Sequence, residues 1–296
     1  MNTIGVLARA DLVEASPVVQ KLVTWLRERG QRPCLDEATA KLGGPLVEKG
    51  GVVASGADMA ALVDALVVLG GDGTLLAASR LLERPIPVLG VNFGSLGFLT
   101  EITLPELYPT LEGVLGGRFA HEDRRLLRAV VRREGREDVT VDVLNDVVVT
   151  KAGPSRIIEV DLVVDDRFVS SFRADGIIVS SPTGSTAYNL AAGGPILHPT
   201  LPAIVITPIC PHMLSNRPLV VGDEAHVEVR LRAARGVEVY TALDGQETFA
   251  LADGDGVTVS GSPLRLKLVT AQGRDYYEVL RKKLRWGETG VVPRDH

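Results

Sequence analysis

The chain has 296 residues, of which 45% are hydrophobic and 23% are charged, a balance that excludes an intrinsically disordered protein. Its 32 basic and 37 acidic residues give a net charge of −5, so the basic excess typical of a broad nucleic-acid binder is missing. Two cysteines are too few for a disulfide framework, and no apolar run reaches the roughly 20 residues of a membrane-spanning helix. We therefore expect a soluble, cytoplasmic, globular protein with no nucleic-acid or membrane partner.

The first 118 residues or so alternate between strand and helix patterns. An apolar run at 4–8 predicts a buried strand, and Ser16 followed by Pro17 predicts the start of a helix that Gly30 ends. Similar patterns predict strands at 67–69 and 88–91, and helices near Asp58, over 75–82 and after Pro105. Met59, Leu62 and Val63 are expected on one apolar face of the helix near Asp58. This alternation predicts an α/β domain built on a parallel sheet with helices.

After residue 120 the apolar residues recur at every second position, as in Val227, Val229 and Leu231. This spacing predicts antiparallel strands in an all-β, sandwich-like C-terminal domain. The apolar spacing at 276–284 then returns to that of a helix. We expect an α/β domain over 1–119, a β-rich domain over 120–270 and a C-terminal segment, 271–296, that packs back on the first domain.

Glycine is over-represented, with 31 residues against about 20 at average usage. Residues 70–74 are Gly-Gly-Asp-Gly-Thr between a predicted strand and a helix, and residues 94–97 are Gly-Ser-Leu-Gly after the next strand. Glycine permits positive φ and close backbone approach to a ligand, and a helix start favours phosphate. The segment matches neither a P-loop nor a complete Rossmann motif. It predicts either a phosphate site at which Asp72 performs chemistry, or a tight turn that Asp72 stabilises.

Asn145 and Asp146 interrupt an apolar run at 143–150. Neighbouring strand residues face opposite sides, so at least one of this polar pair is expected to face inward and to need a partner. The pattern is typical either of a bulge or sheet end, or of an amide and a carboxylate that hold a polar ligand.

The stretch 173–195 is the richest in polar groups, with Ser and Thr concentrated in 180–186. Such hydroxyls suit a sugar or phosphate oxygens, although Ser185 or Thr186 in a helix cap would give the same pattern. Ser180 and Ser181 lack the Gly-x-Ser-x-Gly context of a catalytic serine. The five histidines show no metal-ligand spacing, so no residue is assigned as a metal ligand, and His212 is expected to be structural.

Four segments together resemble the NAD kinase family: 70–74, 144–146, 175–195 and 211–218. Their order and spacing match over about residues 65–285. Diacylglycerol kinases and phosphofructokinases carry similar glycine-aspartate loops, but the Thr-Gly-Ser-Thr-Ala-Tyr run at 183–188 with Gly-Gly-Pro at 193–195 is specific. The resemblance implies transfer of the γ-phosphoryl of ATP to the 2′-hydroxyl of the adenosine ribose of NAD, giving NADP. It also implies an α/β domain plus a β-sandwich, with the carboxyl end returning to the first domain.

The resemblance further implies site residues, with Asp72 as the catalytic proton acceptor. The residues implied to bind the dinucleotide are Asp72, Gly73, Asn145, Asp146, Arg156, Arg173, Asp175, Thr186, Ala187, Tyr188, Asn189, Leu190, Ala191 and Gln246. Asp146 stands where many members have Glu, and Ala77 stands where some have a basic residue. A divalent cation, Mg2+, would neutralise phosphate charge, and members commonly form homodimers or homotetramers.

Two alternatives to this hypothesis use the same residues differently. A kinase for a lipid or sugar would share the glycine-aspartate loop, but it would leave the 183–188 run unexplained. A non-catalytic NAD(P)-binding sensor would gain little from a carboxylate at Asp72 beside phosphates. The sequence leaves open ATP against polyphosphate as donor, and NAD against NADH as acceptor.

Overall fold

A computed structural model describes residues 1–48, 52–94, 96–153, 157–233, 236–271 and 273–286. Contacts group the chain into two compact units. The first unit comprises Met1–Glu122 together with Leu266–His296, and the second comprises Asp123–Arg265. Among the described residues, no helix combines the length and the apolar character needed to cross a membrane.

The strands of the first unit have two to six residues, whereas the second unit contains most of two longer strands, of 12 and 14 residues. In chain order they are β1 Thr3–Ala8, β2 Arg32–Leu35, β3 Val52–Val53, β4 Ala65–Leu69, β5 Pro87–Val91, β6 His121–Arg132, β7 Val139–Val143, β8 Asp146–Lys151, β9 Ile158–Val164, β10 Arg167–Ala174, β11 Gly176–Ser180, β12 Ala203–Ile209, β13 Leu219–Gly222, β14 Val227–Arg232, β15 Val239–Leu243, β16 Glu247–Leu251 and β17 Gly256–Val269.

Among the described residues, the α-helices belong to the first unit, apart from one single-turn α-helix in the second. They are α1 Ala15–Glu28, α2 Glu37–Gly43, α3 Pro45–Glu48, α4 Gly56–Leu62, α5 Asp72–Ser79, α6 Leu107–Leu115, α7 Tyr188–Ala191 and α8 Tyr276–Leu284.

The first unit is built on a parallel sheet whose strands run in the order β5, β4, β1, β2, β3. The last residues of β17 extend it, since Lys267 and Leu268 pair in parallel with β5. β4 and β5 are apolar and buried at every position, as expected of strands covered on both faces. Leu22 and Leu26 of α1 join the core of this sheet. The α/β prediction is confirmed.

Two helix predictions need correction. α1 begins at Ala15 with Glu14 at its N-cap, so Ser16 lies inside the helix and its hydroxyl donates instead to the Leu42 carbonyl at 2.7 Å. Leu62 of α4, expected on an apolar face, is 52% exposed, while Met59 is buried. The predicted stop is confirmed, because Gly30 has φ +71 and its N–H donates to the Arg27 carbonyl.

The second unit is an antiparallel sandwich, as the sequence predicts. Its six-stranded sheet has the order β13, β12, β11, β8, β15, β16, and the facing sheet contains β6, β7, β9, β10, β14 and part of β17. One apolar core takes residues from both, including Val147, Val179, Leu162 and Val229. Alternate residues of each strand face this core, which explains the spacing of two in the sequence.

The C-terminal helix α8 belongs to the first unit. Asp275 caps it by accepting a hydrogen bond from the Glu278 N–H at 2.8 Å, and Val279 and Leu280 are buried. Just before the helix, Arg274 donates to the Glu101 carbonyl and lies 3.2 Å from the Glu106 carboxylate. The expected return of the carboxyl end to the first domain is confirmed.

Candidate active site

The glycine-aspartate turn joins β4 to α5 at the carboxyl end of a parallel strand. Gly71 is the extended N-cap of α5, and Asp72 is the first helical residue. The turn does not use positive φ at Gly70, Gly71 or Gly73, contrary to the conformational role expected of these glycines. At Gly70 a side chain would be too crowded, because a Cβ would lie 2.5 Å from Thr74 Oγ1. At Gly71 and Gly73 a Cβ would meet no described atom within 4 Å. The backbone there is open to a ligand.

The carboxylate of Asp72 is held by the loop that follows β5. Oδ2 accepts a hydrogen bond from the Phe98 N–H at 2.9 Å. Oδ1 accepts three, each at 3.0 Å, from the Leu99 N–H, the Thr100 N–H and the Thr100 hydroxyl. Four donors fix the position of this half-buried side chain and stabilise its negative charge.

Gly97 and Asn92 shape that loop. A Cβ on Gly97 would lie 2.1 Å from Asp72 Oδ1 and 2.3 Å from Thr100 Oγ1, so only glycine fits beside the carboxylate. The Thr100 carbonyl accepts hydrogen bonds from Asn92 Nδ2 at 3.0 Å and from the Gly97 N–H at 3.2 Å. Gly97 of the second glycine cluster thus makes room for the carboxylate that the first cluster carries.

In the second unit, the segment Leu144–Asp146 is held by the carboxylate of Asp244. Oδ2 of Asp244 accepts from the Leu144 N–H at 2.8 Å, and Oδ1 accepts from Asn145 N–H at 2.7 Å and Asp146 N–H at 3.1 Å. Asp146 is buried and Asn145 is half-buried. Both residues of the predicted polar pair are therefore fixed by their backbone.

The start of the Ser- and Thr-rich stretch fixes the carbonyls of the same segment. Ser181 Oγ donates to the Leu144 carbonyl at 2.5 Å, and Ser181 N–H and Ser180 Oγ donate to the Asn145 carbonyl at 2.8 and 3.2 Å. A Cβ on Gly184 would lie 2.2 Å from that Asn145 oxygen. These two serines are structural, as the missing nucleophile motif indicates.

The rest of the stretch is organised by Asn189, whose side chain is fully buried. Its Nδ2 donates to the carbonyls of Ser185 and Pro195, each at 3.0 Å, and its Oδ1 accepts from the Thr207 hydroxyl at 2.6 Å. Gly194 packs against this amide, since a Cβ there would lie 2.0 Å from Oδ1. Direct contact of Asn189 with a dinucleotide stays a prediction. In the structure its side chain holds Ser185, Pro195 and Thr207 together by hydrogen bonds.

The remaining predicted residues differ in exposure. Asp175 is half-buried and its carboxylate lies 2.9 Å from Lys151 Nζ. Exposed side chains open to a ligand are those of Arg173, Tyr188, Ala191 and Gln246, and half-buried ones are those of Thr186, Ala187 and Leu190. Arg156 lies outside the described residues.

Asp146 has an unusual acidity. Burial raises the pKa of its carboxyl from 3.8 to about 7, and the negative charge of Asp244 adds to the rise. Such a group takes up or loses a proton close to neutral pH. Strongly perturbed carboxyls of this kind are common in functional sites.

The sequence did not reveal the two residues that order the site, Thr100 and Asp244. For Asp244 a partial signal exists, because an Asp-Gly pair between alternating strands is typical of a hairpin turn. For Thr100 no motif is available. Asp244 accepts from backbone N–H groups about 100 residues away in the chain, and Thr100 donates to the Asp72 carboxylate, 28 residues away.

The described residues contain no group of three or more His, Cys, Asp or Glu side chains that could hold a metal ion. The first unit has an open helix start and a fixed carboxylate at the end of a parallel strand, where α/β sheets bind ligands. The second unit, taken by itself, has a polar loop fixed by hydrogen bonds on a β-sandwich. Fold and site together define a nucleotide-dependent phosphotransferase.

The chain belongs to the ATP-NAD kinase family. The family model of the ATP-NAD kinase N-terminal domain matches residues 4–119, and that of the C-terminal domain matches residues 144–271. The NAD kinase of Citrifermentans bemidjiense is 46% identical over 291 residues, which cover 97% of this chain and 100% of that protein. The NAD kinase of Geobacter sulfurreducens is 47% identical over 290 residues, with the same coverage. The chain is thus an enzyme, a phosphotransferase of the NAD kinase type.

Solved structures show the same fold. The crystal structure of yeast NADH kinase complexed with NADH has a TM-score of 0.89 at 23% identity, covering 99% of this chain and 90% of that one. The crystal structure of an NAD kinase from Archaeoglobus fulgidus in complex with ATP has a TM-score of 0.76 at 25% identity, covering 96% and 100%.

Proposed function

We propose that this chain transfers the γ-phosphoryl group of ATP to the 2′-hydroxyl of the adenosine ribose of NAD, giving NADP and ADP. The observation that carries the proposal is Asp72, a carboxylate fixed by four hydrogen bonds at the open start of α5 in a chain of the ATP-NAD kinase family. Phosphoryl transfer needs mainly positioning and charge stabilisation, which such a turn supplies.

The hydrogen bonds of Asp72 indicate which oxygen accepts the proton. A carboxylate has about four acceptor positions on its two oxygens. Among the described residues, Oδ1 accepts three hydrogen bonds and Oδ2 accepts one. Oδ2 therefore keeps room for the ribose hydroxyl. The proton moves to Oδ2 as the 2′-oxygen bonds to the γ-phosphorus, and the bond from that phosphorus to the β,γ-bridging oxygen breaks.

For the dinucleotide, we propose contacts with residues that the family resemblance implies. The predicted set is Asp72, Gly73, Asn145, Asp146, Arg156, Arg173, Asp175, Thr186, Ala187, Tyr188, Asn189, Leu190, Ala191 and Gln246. Open backbone at Gly73, exposed side chains at Arg173, Tyr188 and Gln246, and the fixed pair Asn145 and Asp146 support the set. We also propose the domain division 1–119 with 271–296, and 120–270 as the NAD-binding domain.

A divalent cation, Mg2+, is proposed as part of the ATP substrate. The described residues do not fit a resident metal centre, and the Asp72 carboxylate uses most of its acceptor positions on the loop that follows β5. Mg2+ is usually held by substrate phosphates and water with one or two carboxylates. Purified protein is therefore expected to contain no stoichiometric metal and to require added Mg2+ with ATP.

The relatives support neither a lipid or sugar kinase nor a non-catalytic sensor, since they carry the name NAD kinase. The choice of donor and acceptor is a separate question. Parallel assays with ATP and polyphosphate, each with NAD and NADH, would identify the preferred pair.

We further propose a cytoplasmic homodimer or homotetramer. The substrates of the reaction are intracellular, and the two cysteines, Cys34 and Cys210, are free thiols. The edge strand β13 exposes Leu219 and Val220, which favours association with another chain. Light scattering coupled to gel filtration would give the number of subunits.

The decisive experiment compares wild type with Asp72→Asn in the presence of ATP, Mg2+ and NAD, with NADP as the measured product. Loss of the proton acceptor is expected to lower kcat by about 10²–10⁴-fold while calorimetry still detects NAD binding. Asp58→Asn, in the first turn of α4, is the matched control and should leave kcat unchanged. Absence of NADP from wild type would refute the activity, and near-normal turnover of Asp72→Asn would refute the role of Asp72.

A further inference from the structure

The backbone of Leu144–Asp146 has every polar group satisfied. Its three N–H groups donate to the carboxylate of Asp244. The carbonyls of Leu144 and Asn145 accept from Ser180 and Ser181, and the Asp146 carbonyl accepts from the Asp244 N–H at 2.9 Å. Asp244 thus provides four of the hydrogen bonds that fix a segment about 100 residues away in the chain.

Asp244 reaches this segment from a tight hairpin turn between β15 and β16. Asp244 and Gly245 have φ of +52 and +63, and the Gln246 N–H donates to the Leu243 carbonyl at 2.9 Å. These are the features of a type I′ turn, which requires left-handed residues at its two central positions. Asparagine and glycine fit such a position as well as aspartate does, so the turn alone does not require a carboxylate.

The carboxylate is placed at an energetic cost. Asp244 is only 6% exposed, and its charge lies near the buried carboxyl of Asp146. Burial of a charge is unfavourable unless hydrogen bonds compensate for the lost hydration, and here three N–H groups of one segment do so. The arrangement therefore fixes the backbone of the segment 144–146, to which those N–H groups belong.

We propose that Asp244 is a positioning residue for the dinucleotide, because it fixes the backbone that presents Asn145 and Asp146. This inference rests on the proposed function, in which those two residues bind NAD. Asp244 makes no contact with substrate in this mechanism. A pre-organised segment binds more tightly, since less conformational freedom is lost on binding.

The experiment separates the carboxylate from the turn. Asp244→Asn and Asp244→Gly both tolerate left-handed φ and keep the hairpin, but asparagine loses one acceptor oxygen and glycine loses both. Asp255→Asn is the matched control. Asp255 is also 6% exposed, and it accepts two backbone hydrogen bonds, from Glu134 and Ala252, in the same unit.

Three measurements are compared: hydrogen exchange of the amides at 144–146, calorimetric NAD affinity, and KM for NAD against KM for ATP. Both Asp244 variants are expected to exchange faster at 144–146 and to lose NAD affinity at least about tenfold, while KM for ATP stays unchanged. The glycine variant should be the weaker binder. Asp255→Asn should show none of these local effects.

Asp244 variants that behave like Asp255→Asn in all three measurements would overturn the proposal. So would variants that fail to fold while Asp255→Asn folds, because Asp244 would then serve the fold and not the site. If wild type makes no NADP, the proposed function fails. In that case, hydrogen exchange at 144–146 and the calorimetric NAD affinity still test whether Asp244 positions this segment.

Discussion

Thr100 donates two hydrogen bonds to one oxygen of Asp72, with both its N–H and its hydroxyl 3.0 Å from Oδ1. Thr100 is itself fully buried, and its carbonyl is fixed by Asn92. The proposed proton acceptor is thus aligned by a residue that needs no contact with substrate. Because both donors are on Oδ1, the other oxygen is the one left for the hydroxyl of the substrate.

Removal of the Thr100 hydroxyl should therefore misalign Asp72. Thr100→Val keeps the shape of the side chain but lacks the donor, and a hydrogen bond to a charged group contributes about 1.5–3 kcal/mol. We expect kcat for NADP formation to fall by at least about tenfold in Thr100→Val. Thr100→Ser keeps the hydroxyl and should stay near wild type. Equal rates for the two variants would show that the hydroxyl has no part in alignment.

Gly97→Ala should be far more harmful than Gly94→Ala. The new Cβ at position 97 would overlap Asp72 Oδ1 and Thr100 Oγ1, whereas at position 94 it would meet no described atom within 4 Å. Overpacking of this kind typically costs about 1–3 kcal/mol in stability, and here it would also displace the carboxylate of the proposed proton acceptor. The Tm and kcat should both decrease in Gly97→Ala, and neither should change in Gly94→Ala. A normal kcat in that variant would contradict the tight fit.

The fold could be predicted largely from hydrophobic periodicity. The parallel strands β4 and β5 are continuous apolar runs, and sandwich strands such as β14 alternate, so both periods are visible in the sequence. The region 32–53 was not assigned because its elements, from β2 to β3, are two to seven residues long and too short to show a period. Ser16 has the chemistry of a cap, but a tertiary bond to Leu42 uses its hydroxyl.

The site could be predicted only in part. The Gly-Asp turn and the Asn145–Asp146 pair stand out because polar or flexible residues interrupt apolar strands. The residues that order them do not stand out. Asp244 binds backbone N–H groups, which are the same in every residue type, and Thr100 binds Asp72 partly through its own N–H. Asn189 illustrates the converse, because the side chain of a polar residue in a polar segment is used here for hydrogen bonds within the protein.

Asn189→Ala should therefore destabilise the second unit. The change leaves the Thr207 hydroxyl without its acceptor and the carbonyls of Ser185 and Pro195 without this donor, at a cost of about 2–4 kcal/mol. Denaturant unfolding of the purified protein measures this loss. Thr248→Ala on the edge strand β16 is the exposed control and should change the free energy of unfolding little. A loss in Asn189→Ala no larger than in the control would contradict an organising role.

Stability should also depend on pH through Asp146. Its pKa is about 7 in the folded protein, above the usual 3.8, so between these values the folded state holds a proton that the unfolded state releases. The free energy of unfolding must then fall as pH rises from 4 to 7, by up to about 4 kcal/mol for this one group. Asp146→Asn has no proton to lose, so its stability relative to wild type should increase over that range and level off above pH 7.

Urea unfolding of both proteins at pH 5, 6, 7 and 8 measures this difference. Asn145→Ser is the matched control, because it alters the neighbouring side chain without changing any titratable group. The curve of Asn145→Ser against pH should run parallel to that of wild type, with only a constant offset. Parallel curves for Asp146→Asn and wild type would show that the Asp146 carboxyl does not retain its proton near neutral pH, and that burial beside Asp244 is offset by other interactions.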